Sequence, residues 1–405
     1  MSSSGLPLAA AGEEVLLQTF LDEIFTPLHR AEQRRWARAY LRGLLRATGK
    51  KTLRRIAQTE SLPATAAHGL RQFINSSPWA WEPVRRRLAQ RIAASAAPYA
   101  WTVAELVIPK RGEHSVGVHR RRDTATGLTV NCQRAVGLFL AAGARCFPVD
   151  WSLVLDDEWS EDRRRRLRAR IPDVETARPV RAYVLDHAAG VAAQPRLPGL
   201  PWVLDLTRCE DAGGVLGGLA RHRLHTVCEV DPNHLVLAGR AETVTRIGEL
   251  MEVRRSRQSQ VIACQPADGP AGTALVHVYA GTVQLPRRRG AVRPDASSAT
   301  YHVLKHLSPD RQRPARYWIT SLTDRGVEEV MALVRGQDAV QTALRALRER
   351  FGVLDFEGRS FPGWHHHRTM ASAAYAFHHL WAGSGRAPTA GPRAEAAAPP
   401  VEAAS

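Results

Sequence analysis

Apolar positions in the first quarter of the chain recur at helical spacing. In residues 32–47, for example, large apolar side chains fall on one side of a helix and five arginines fall on the other or at its edges. This spacing is typical of an amphipathic helix with a basic outer face. The pattern predicts an N-terminal helical domain over residues 15–98, which follows a short flexible tail at residues 1–14.

The apolar pattern then becomes that of β-strands. Residues 101–108, 115–119 and 129–140 are extended runs separated by polar turns, which indicates a meander of antiparallel strands. Residues 201–205 and 226–230 are two further strands with a helical segment between them, which is the spacing of a βαβ unit. The two patterns together predict a mixed α/β fold.

Short strand-like pieces separated by polar and basic turns fill residues 231–322, and they predict a β-rich insertion into the α/β core. Helical patterns return at residues 326–351 and 366–381. Residues 383–405 have the Ala, Pro, Gly and Ser composition of a disordered tail. We therefore expect one large α/β domain over residues 99–382.

The charge of the chain adds a partner to this picture. The sequence has 56 Lys and Arg against 39 Asp and Glu, a formal net charge of +17. A large chain this basic indicates a polyanionic partner, and nucleic acid is the commonest one. A high-GC composition bias explains the choice of arginine over lysine but does not explain the net charge.

The helical domain leaves two interpretations open on its residues alone. Short helices with arginine on their outer faces are typical of DNA-binding domains. They are equally typical of an ordinary helical domain whose arginines are solvated, so composition does not decide between the two.

The five cysteines and the N-terminus exclude several classes of protein. An odd number of cysteines without CxxC spacing indicates neither a zinc site nor a disulfide framework and fits buried thiols in a reducing compartment. The N-terminus has two glutamates before any long apolar run, unlike a signal peptide, and no window has the ~18 apolar residues of a membrane span. We expect a cytoplasmic protein with no membrane partner.

Several short words of the sequence resemble one family of enzymes, the DDE-class insertion-sequence transposases of the 701 group. The words occur in family order over residues 30–381, and their combination is specific. They are Tyr-Leu-Arg-Gly-Leu-Leu at 40–45, Pro-Lys-Arg-Gly at 109–112, His-Ser-Val-Gly-Val at 114–118, Asn-Cys-Gln at 131–133, Ala-Arg-Tyr-Trp-Ile-Thr-Ser-Leu at 315–322, Phe-Glu-Gly-Arg-Ser at 356–360 and Gly-Trp-His-His-His at 363–367.

The resemblance implies an RNase H-like mixed sheet, preceded by a DNA-binding helical domain and interrupted by the β-rich insertion. It also implies an enzyme that cuts and joins double-stranded DNA, with the possibility of a homo-oligomer. Such enzymes use three carboxylates to hold two divalent ions, which activate the attacking oxygen and stabilise the leaving one. Mg²⁺ prefers oxygen ligands, so each of the three positions has to be compared with this sequence.

Of the family's first two acidic positions, this sequence lacks an acid at the first and has one at the second. The family's first acid lies before the Pro-Lys-x-Gly turn, and counting back from Pro109 places it at Ala104. Glu105 is the next residue, but successive side chains of a strand point to opposite faces, so Glu105 would need a bulge to substitute. The second acid matches Asp205, which closes a strand; its alternative role is a turn or N-cap acid before the following helix.

The third acid belongs to a helical word that ends in Glu and is followed seven positions later by Lys. Counting back from the word at 356–360 places the Glu at Gln341 and the Lys at Arg348. Glutamine has no charge and is a poor ligand for Mg²⁺. Glu357 belongs to the neighbouring Phe-Glu-Gly-Arg-Ser word, although a slip of one helical turn in the alignment would change its assignment.

Three hypotheses follow. The favoured one is a transposase-family DNA-binding protein that has lost catalysis, either as a decayed copy or as a recruited regulator, and that needs no cofactor. The second is an active transposase with Mg²⁺ bound at a rearranged site of Glu105, Asp205 and Glu357. The third is a protein-interaction module that has lost DNA as its partner.

Candidate DNA contacts come from the basic turns and from the family words. The histidines at 365–367 and 378–379 also suggest a metal site, but about three helical turns separate the two groups, which favours phosphate contact or packing. The residues expected to contact DNA are Arg42, Arg46, Lys50, Lys51, Lys110, Arg111, Arg120, Arg287, Arg288, Arg348, Arg359, His365 and His366.

Overall fold

Twelve helices and thirteen strands form in the described part of the chain. None of the described helices is long and apolar enough to cross a membrane. The disordered tail expected at residues 383–405 lies outside the described residues, and so do Arg287 and Arg288. The computed structural model describes residues 6–63, 65–122, 127, 129–239, 242–252, 257–264, 272–286, 299–307 and 314–382.

Five helices precede the sheet, in agreement with the helical pattern of the sequence. The first helix begins at Leu6, within the segment at residues 1–14 that was expected to be a flexible tail. The apolar stripe of the second helix, which includes Tyr40 and Leu44, is buried. The five are α1 (Leu6–Ile24), α2 (Ala31–Arg46), α3 (Leu53–Thr59), α4 (Ala66–Asn75) and α5 (Trp81–Ala96).

The first six strands form the core of a mixed sheet, in which β3, β1, β5 and β6 are neighbours in that order. β4 and β2 both pair with β3, β4 along residues 134–142 and β2 along residues 129–132. β1 is antiparallel to β3 and parallel to β5, which is parallel to β6. The mixed α/β prediction is confirmed, and the order is compatible with an RNase H-like fold. These strands are β1 (Pro98–Pro109), β2 (His119–Arg122), β3 (Thr129–Ala142), β4 (Arg145–Val154), β5 (Trp202–Asp205) and β6 (Thr226–Val230).

The predicted β-rich insertion extends this sheet. β13 pairs antiparallel with β6, and the sheet continues through β12 and β10 to β9, while β11, β7 and β8 form a small separate sheet. The insertion therefore shares the main sheet. Its elements are β7 (Leu235–Ala238), β8 (Thr243–Arg246), α10 (Ile247–Glu252), β9 (Arg257–Cys264), β10 (Gly272–Tyr279), β11 (Val283–Gln284), β12 (His302–Leu307) and β13 (Arg316–Thr320).

The charged segment after β4 forms two short helices. The Asp162 carboxylate accepts a hydrogen bond from the Arg165 backbone N–H at 2.9 Å and so caps a new helix inside the segment. The helices between β4 and β6 are α6 (Asp157–Glu161), α7 (Arg163–Ala169), α8 (Val180–Ala192) and α9 (Ala212–Arg221).

Two long helices, α11 (Val327–Glu349) and α12 (Phe361–Leu380), end the described chain. Ser360 caps α12 by accepting from the Gly363 N–H at 3.2 Å. Sixteen of the twenty residues of α12 are buried, because α2, α4 and α5 cover one side of it and β4 covers another. The N-terminal helices and the α/β region therefore share one core across residue 98.

Polar side chains are buried along α12 and are held by the N-terminal helices. His367 Nε2 lies 2.8 Å from the Gly352 carbonyl, and its Nδ1 lies 2.8 Å from the Tyr40 hydroxyl. A neutral imidazole satisfies both contacts if Nε2 donates to the carbonyl and Nδ1 accepts from Tyr40. The Arg85 side chain of α5 donates to Thr369 at 2.7 Å and to the Asp150 carboxylate at 2.6 Å.

The stability of the fold is expected to decrease in acid because of His367. Burial, helped by the nearby Arg368 guanidinium, lowers the pKa of His367 to about 3, against about 6.5 in the unfolded chain. The unfolded state therefore binds the proton first, and the stability contribution is present above about pH 6.5 and is lost as the pH falls towards 3. Each pH unit in that window costs about 1.4 kcal/mol for this one group.

His367→Gln provides the matched comparison, since it keeps an amide donor and removes the titration. Urea unfolding between pH 6 and pH 4 is expected to give a shallower dependence of the unfolding free energy on pH in the variant, by about one proton. The same pH dependence in both proteins would contradict the neutral, buried His367.

Candidate functional site

Asp205 is the last residue of β5, and its carboxylate is exposed where the strand ends. Its Oδ1 accepts hydrogen bonds from the Thr207 backbone N–H at 3.0 Å and from the Thr207 hydroxyl at 2.6 Å. Asp211, not Asp205, caps the following helix α9, by accepting from the Gly214 N–H at 3.0 Å. Asp205 is therefore a turn acid at the end of a central strand.

Ala104 and Asp205 lie just beyond the end of the β1–β5 ladder. The last pair of this parallel ladder is Thr102 with Val203, and Ala104 and Asp205 each follow two residues later on their strands. Residues two apart in a strand point to the same face, so both side chains lie on the face of Thr102 and Val203. Ala104 is buried and brings no oxygen ligand to this face.

Glu105 lies on the opposite face of β1. Its carboxylate is exposed and pairs with the Arg134 guanidinium of β3 at 2.8 Å. The regular β1–β3 register through this residue has no bulge to turn the side chain over. The structure therefore does not bring Glu105 to Asp205.

Glu229 of β6 is the acidic neighbour that the structure does bring to Asp205. The two residues are directly paired in the parallel β5–β6 ladder, so their side chains share a face. Both Glu229 oxygens are engaged by Arg316 of β13: Nε donates to Oε1 at 2.8 Å and Nη2 donates to Oε2 at 2.7 Å. Gln337 of α11 adds a donor to Oε2 at 3.0 Å.

Arg316 is the cation at the centre of this group. Its Nη1 lies 3.6 Å from the Asp338 carboxylate of α11. Burial acts to lower the pKa of Arg316, but the carboxylates of Glu229, Asp338 and Asp205 outweigh it, and the net pKa is raised. We call Asp205, Glu229, Arg316, Gln337 and Asp338 the Arg316 cluster.

Neither Gln341 nor Glu357 completes a carboxylate triad with Asp205. Gln341 is exposed on α11, one turn beyond Gln337, the residue that reaches Glu229. Glu357 is exposed and pairs with Lys50 at 2.6 Å. Its surroundings are a groove that none of the Arg316 cluster lines, so the structure does not bring Glu357 to Asp205.

That groove has a volume of about 660 Å³ and is formed by the end of α2, by α3 and α4, by the end of α7 and by the segment at 355–360. Two acidic side chains, Asp355 and Glu357, line it. Five cationic side chains outnumber them: Lys51, Arg71, Arg168, Arg170 and Arg359. We call this the basic groove.

The comparisons with known proteins identify the family. A sequence model of the DDE superfamily endonucleases matches residues 23–259, more than half of the chain. The chain belongs to the DDE superfamily endonuclease family. The match supports a transposase-like protein, as the sequence words indicated. A search of curated proteins gives no match.

Enzymes of the DDE superfamily typically use divalent metal ions, and the residues near Asp205 do not fit a pair of them. Ala104 offers no ligand atom, and both oxygens of Glu229 are held by a guanidinium. Among the residues that the structure describes, no group of three or more Asp, Glu, His and Cys side chains is arranged to hold a metal ion. This includes the histidines of α12.

The expected DNA contacts divide into exposed and engaged side chains. Arg111, Arg348 and Arg359 are exposed, as is Arg120, which pairs with Glu113 at 3.0 Å. Arg46 pairs with Glu14 at 2.7 Å. Two further side chains of the expected set also have acidic partners, since Arg42 pairs with Glu14 and Lys50 with Glu357.

Four of the expected contacts are buried or partly buried. Lys51 is buried and its ammonium donates to the Ala47 carbonyl. Lys110 donates to the Phe356 carbonyl at 2.7 Å, and burial lowers its pKa to about 8. His365 stacks on Trp81 and is buried, as is His366. His365 and His366 are therefore core residues, whereas Lys51 and the partly buried Lys110 have their ammonium groups engaged by backbone carbonyls.

His366 shows why the histidine word belongs to the core. Its Nδ1 and Nε2 lie 2.8 and 2.9 Å from the carbonyls of Ile74 and Trp79, and its ring stacks on Trp79 at 3.8 Å. Burial lowers its pKa to about 4, although the two carbonyls act in the opposite direction. A neutral imidazole has one N–H, so it donates to one of the two carbonyls and ties α12 either to the end of α4 or to the following loop.

The sequence reasoning missed Glu229 and Arg316, and one of the two left a signal. Glu229 is a single acid inside the strand Thr226–Val230, whose side chains are all buried. A buried acid is almost always paired, so its presence predicts a cation on a neighbouring element. Nothing in the sequence identifies Arg316 as that cation, because 87 residues separate the two. Arg71, Arg168 and Arg170 of the basic groove were also missed.

We expect Glu229→Gln to lower the unfolding free energy by about 1 to 3 kcal/mol, because it removes a buried carboxylate that accepts two hydrogen bonds from Arg316 and one from Gln337. The matched control is Glu105→Gln, which breaks a half-exposed pair with Arg134 and is expected to cost less than about 1 kcal/mol. Urea unfolding of both variants at pH 7 measures the difference. Equal effects would show that the Arg316 pair is no more than a surface pair.

Proposed function

We propose that this protein is a transposase-family DNA-binding protein that does not cleave DNA. The observation that carries the proposal is the position of Ala104 on the same face of the sheet as Asp205, two residues beyond the last β1–β5 pair. The resemblance puts the first catalytic acid at Ala104, so this face would hold one family acid where the chemistry requires three.

The chemistry of the family explains why that loss matters. Two divalent ions about 4 Å apart carry four positive charges, which the protein must balance with carboxylate oxygens. With alanine at the first position and Gln341 at the third, Asp205 alone remains. The available alternatives do not help, since Glu105 lies on the other face and Glu357 lies in the basic groove.

Family membership, a net charge of +17 and the basic groove support DNA as the partner. Phosphate contacts from Lys and Arg supply affinity without sequence specificity. The groove is lined by α3, α4 and parts of α2 and α7, so the N-terminal helices at residues 15–98 would contribute to DNA binding. The buried free thiols of Cys132, Cys146 and Cys228 fit a protein of the cytoplasm.

The absence of cleavage is tested on supercoiled plasmid with Mg²⁺ or Mn²⁺. The wild-type protein is expected to give no more nicking than Asp205→Ala, because the face around Asp205 lacks the oxygens that hold two ions. Metal-dependent nicking by the wild type that Asp205→Ala abolishes would contradict the proposal and support an active transposase.

DNA binding is tested by titrating duplex DNA at several salt concentrations. The logarithm of the affinity is expected to fall linearly with the logarithm of salt, with a slope of about 0.9 for each phosphate contact. Arg168→Glu and Arg359→Glu, in the basic groove, are each expected to weaken binding and to reduce the slope by about one.

Arg221→Glu is the matched control, because Arg221 is exposed at the end of α9 and does not line the groove. It is expected to leave the salt slope close to that of the wild type. Equal losses of DNA affinity in the control and the groove variants would show that the groove is not the DNA-binding surface. No measurable DNA binding at low salt would instead support a protein-interaction module.

A further inference from the structure

We propose that Arg316 is a built-in cation that occupies the metal-binding face beside Asp205 and keeps divalent ions from binding there. The inference rests on the proposed loss of cleavage, but it concerns metal binding itself and holds whether or not the protein binds DNA. Removal of the guanidinium is expected to turn the acidic remainder of the Arg316 cluster into a cation site.

Arg316 pairs with Glu229 through a two-point contact. A guanidinium presents two parallel N–H groups to a carboxylate, and this fork-to-fork arrangement is stronger than a contact with a single donor. Both oxygens of Glu229 receive such a bond, at 2.8 and 2.7 Å. A divalent ion competing for Glu229 would have to displace the arginine from both oxygens.

Negative charge is concentrated around the Arg316 guanidinium. The carboxylates of Asp205, Glu229 and Asp338 surround one arginine and one uncharged amide, that of Gln337. Two of these acids are adjacent in the β5–β6 register, and like charges side by side repel unless a cation lies between or beside them. Arg316 supplies that cation from the protein itself.

The Arg316 side chain is held in place by its strand and by an aromatic ring. β13 pairs antiparallel with β6, with Trp318 directly opposite Glu229, so Arg316 lies diagonally across the ladder on the same face. The guanidinium also lies over the Trp318 ring, 4.9 Å from its centre, a favourable cation–π geometry. An arginine fixed in this way remains beside Asp205 without a ligand to order it.

An ordinary structural ion pair is the simpler alternative, and it makes a different prediction. A pair that only stabilises the sheet would lower stability when broken but would leave metal binding unchanged. The built-in cation predicts that metal binding appears when the positive charge is removed. The decisive readout is therefore the affinity for a metal ion, with stability as a separate measurement.

The experiment measures Mn²⁺ binding by electron paramagnetic resonance on the full chain without DNA. Arg316→Gln removes the charge and keeps an amide that is able to donate to Glu229. This variant is expected to bind Mn²⁺ at least tenfold more tightly than the wild type at one site. The double variant Arg316→Gln/Asp205→Asn is expected to lose this gain in Mn²⁺ affinity.

The control is Arg134→Gln, which removes the arginine paired with Glu105 on the other face of the sheet. It is expected to leave Mn²⁺ binding unchanged. Equal affinity in Arg316→Gln and the wild type would overturn the inference, and so would an equal gain in the control.

A second comparison does not depend on the folding of the Arg316 variant. The wild type and Asp205→Asn differ at an exposed side chain, and they are expected to give the same Mn²⁺ titration. A loss of Mn²⁺ binding in Asp205→Asn would overturn the inference, since it would show that the wild-type face already holds a metal ion. The plasmid and DNA-binding assays do not enter either comparison, so the proposed function stands or falls separately.

Discussion

The parallel pairing of β1, β5 and β6 is the constraint on which the functional face depends. It sets Asp205 and Glu229 side by side in one row, places Ala104 on the same face two residues beyond the last β1–β5 pair, and leaves Glu105 on the other face of the sheet. The strand register fixes which side chains share this face, because a slip of one residue would exchange the two faces. The chemistry available beside Asp205 is therefore decided by the backbone register and by the residues that β13 and α11 place over the row.

The second organising feature is α12, whose side chains connect the N-terminal helices to the sheet. Arg85 of α5 reaches across to Thr369 of α12 and to Asp150 of β4, so one buried guanidinium joins three elements. Burial of polar groups is costly unless each finds a partner. The histidine word illustrates the result: three consecutive histidines lie in the interior, and His366 and His367 meet backbone carbonyls or a hydroxyl there.

Much of the fold followed from local patterns. Strand β6 has the bounds that its apolar run predicted, and Asp205 closes β5 as its sequence indicated. Local patterns failed where a tertiary or capping contact decided the outcome. Asp162 ends one short helix and caps the next within a charged segment, and His365 and His366, which were candidates for phosphate contact, are buried because α12 is covered on several sides. The Arg316 cluster was beyond sequence reasoning, since its members come from four elements and no pattern of spacing relates them.

The dependence of the first helices on α12 has a consequence for biosynthesis. The contact between Tyr40 and His367 spans 327 residues, so the sides of the first helices that pack on α12 stay uncovered until residues more than 300 positions later have been made, although these helices also pack on one another. At about 5 to 20 residues per second, that interval is roughly 16 to 65 s. During it, the basic N-terminal segment remains an open helical surface that a chaperone is able to hold, and release of the last helix from the ribosome completes the core.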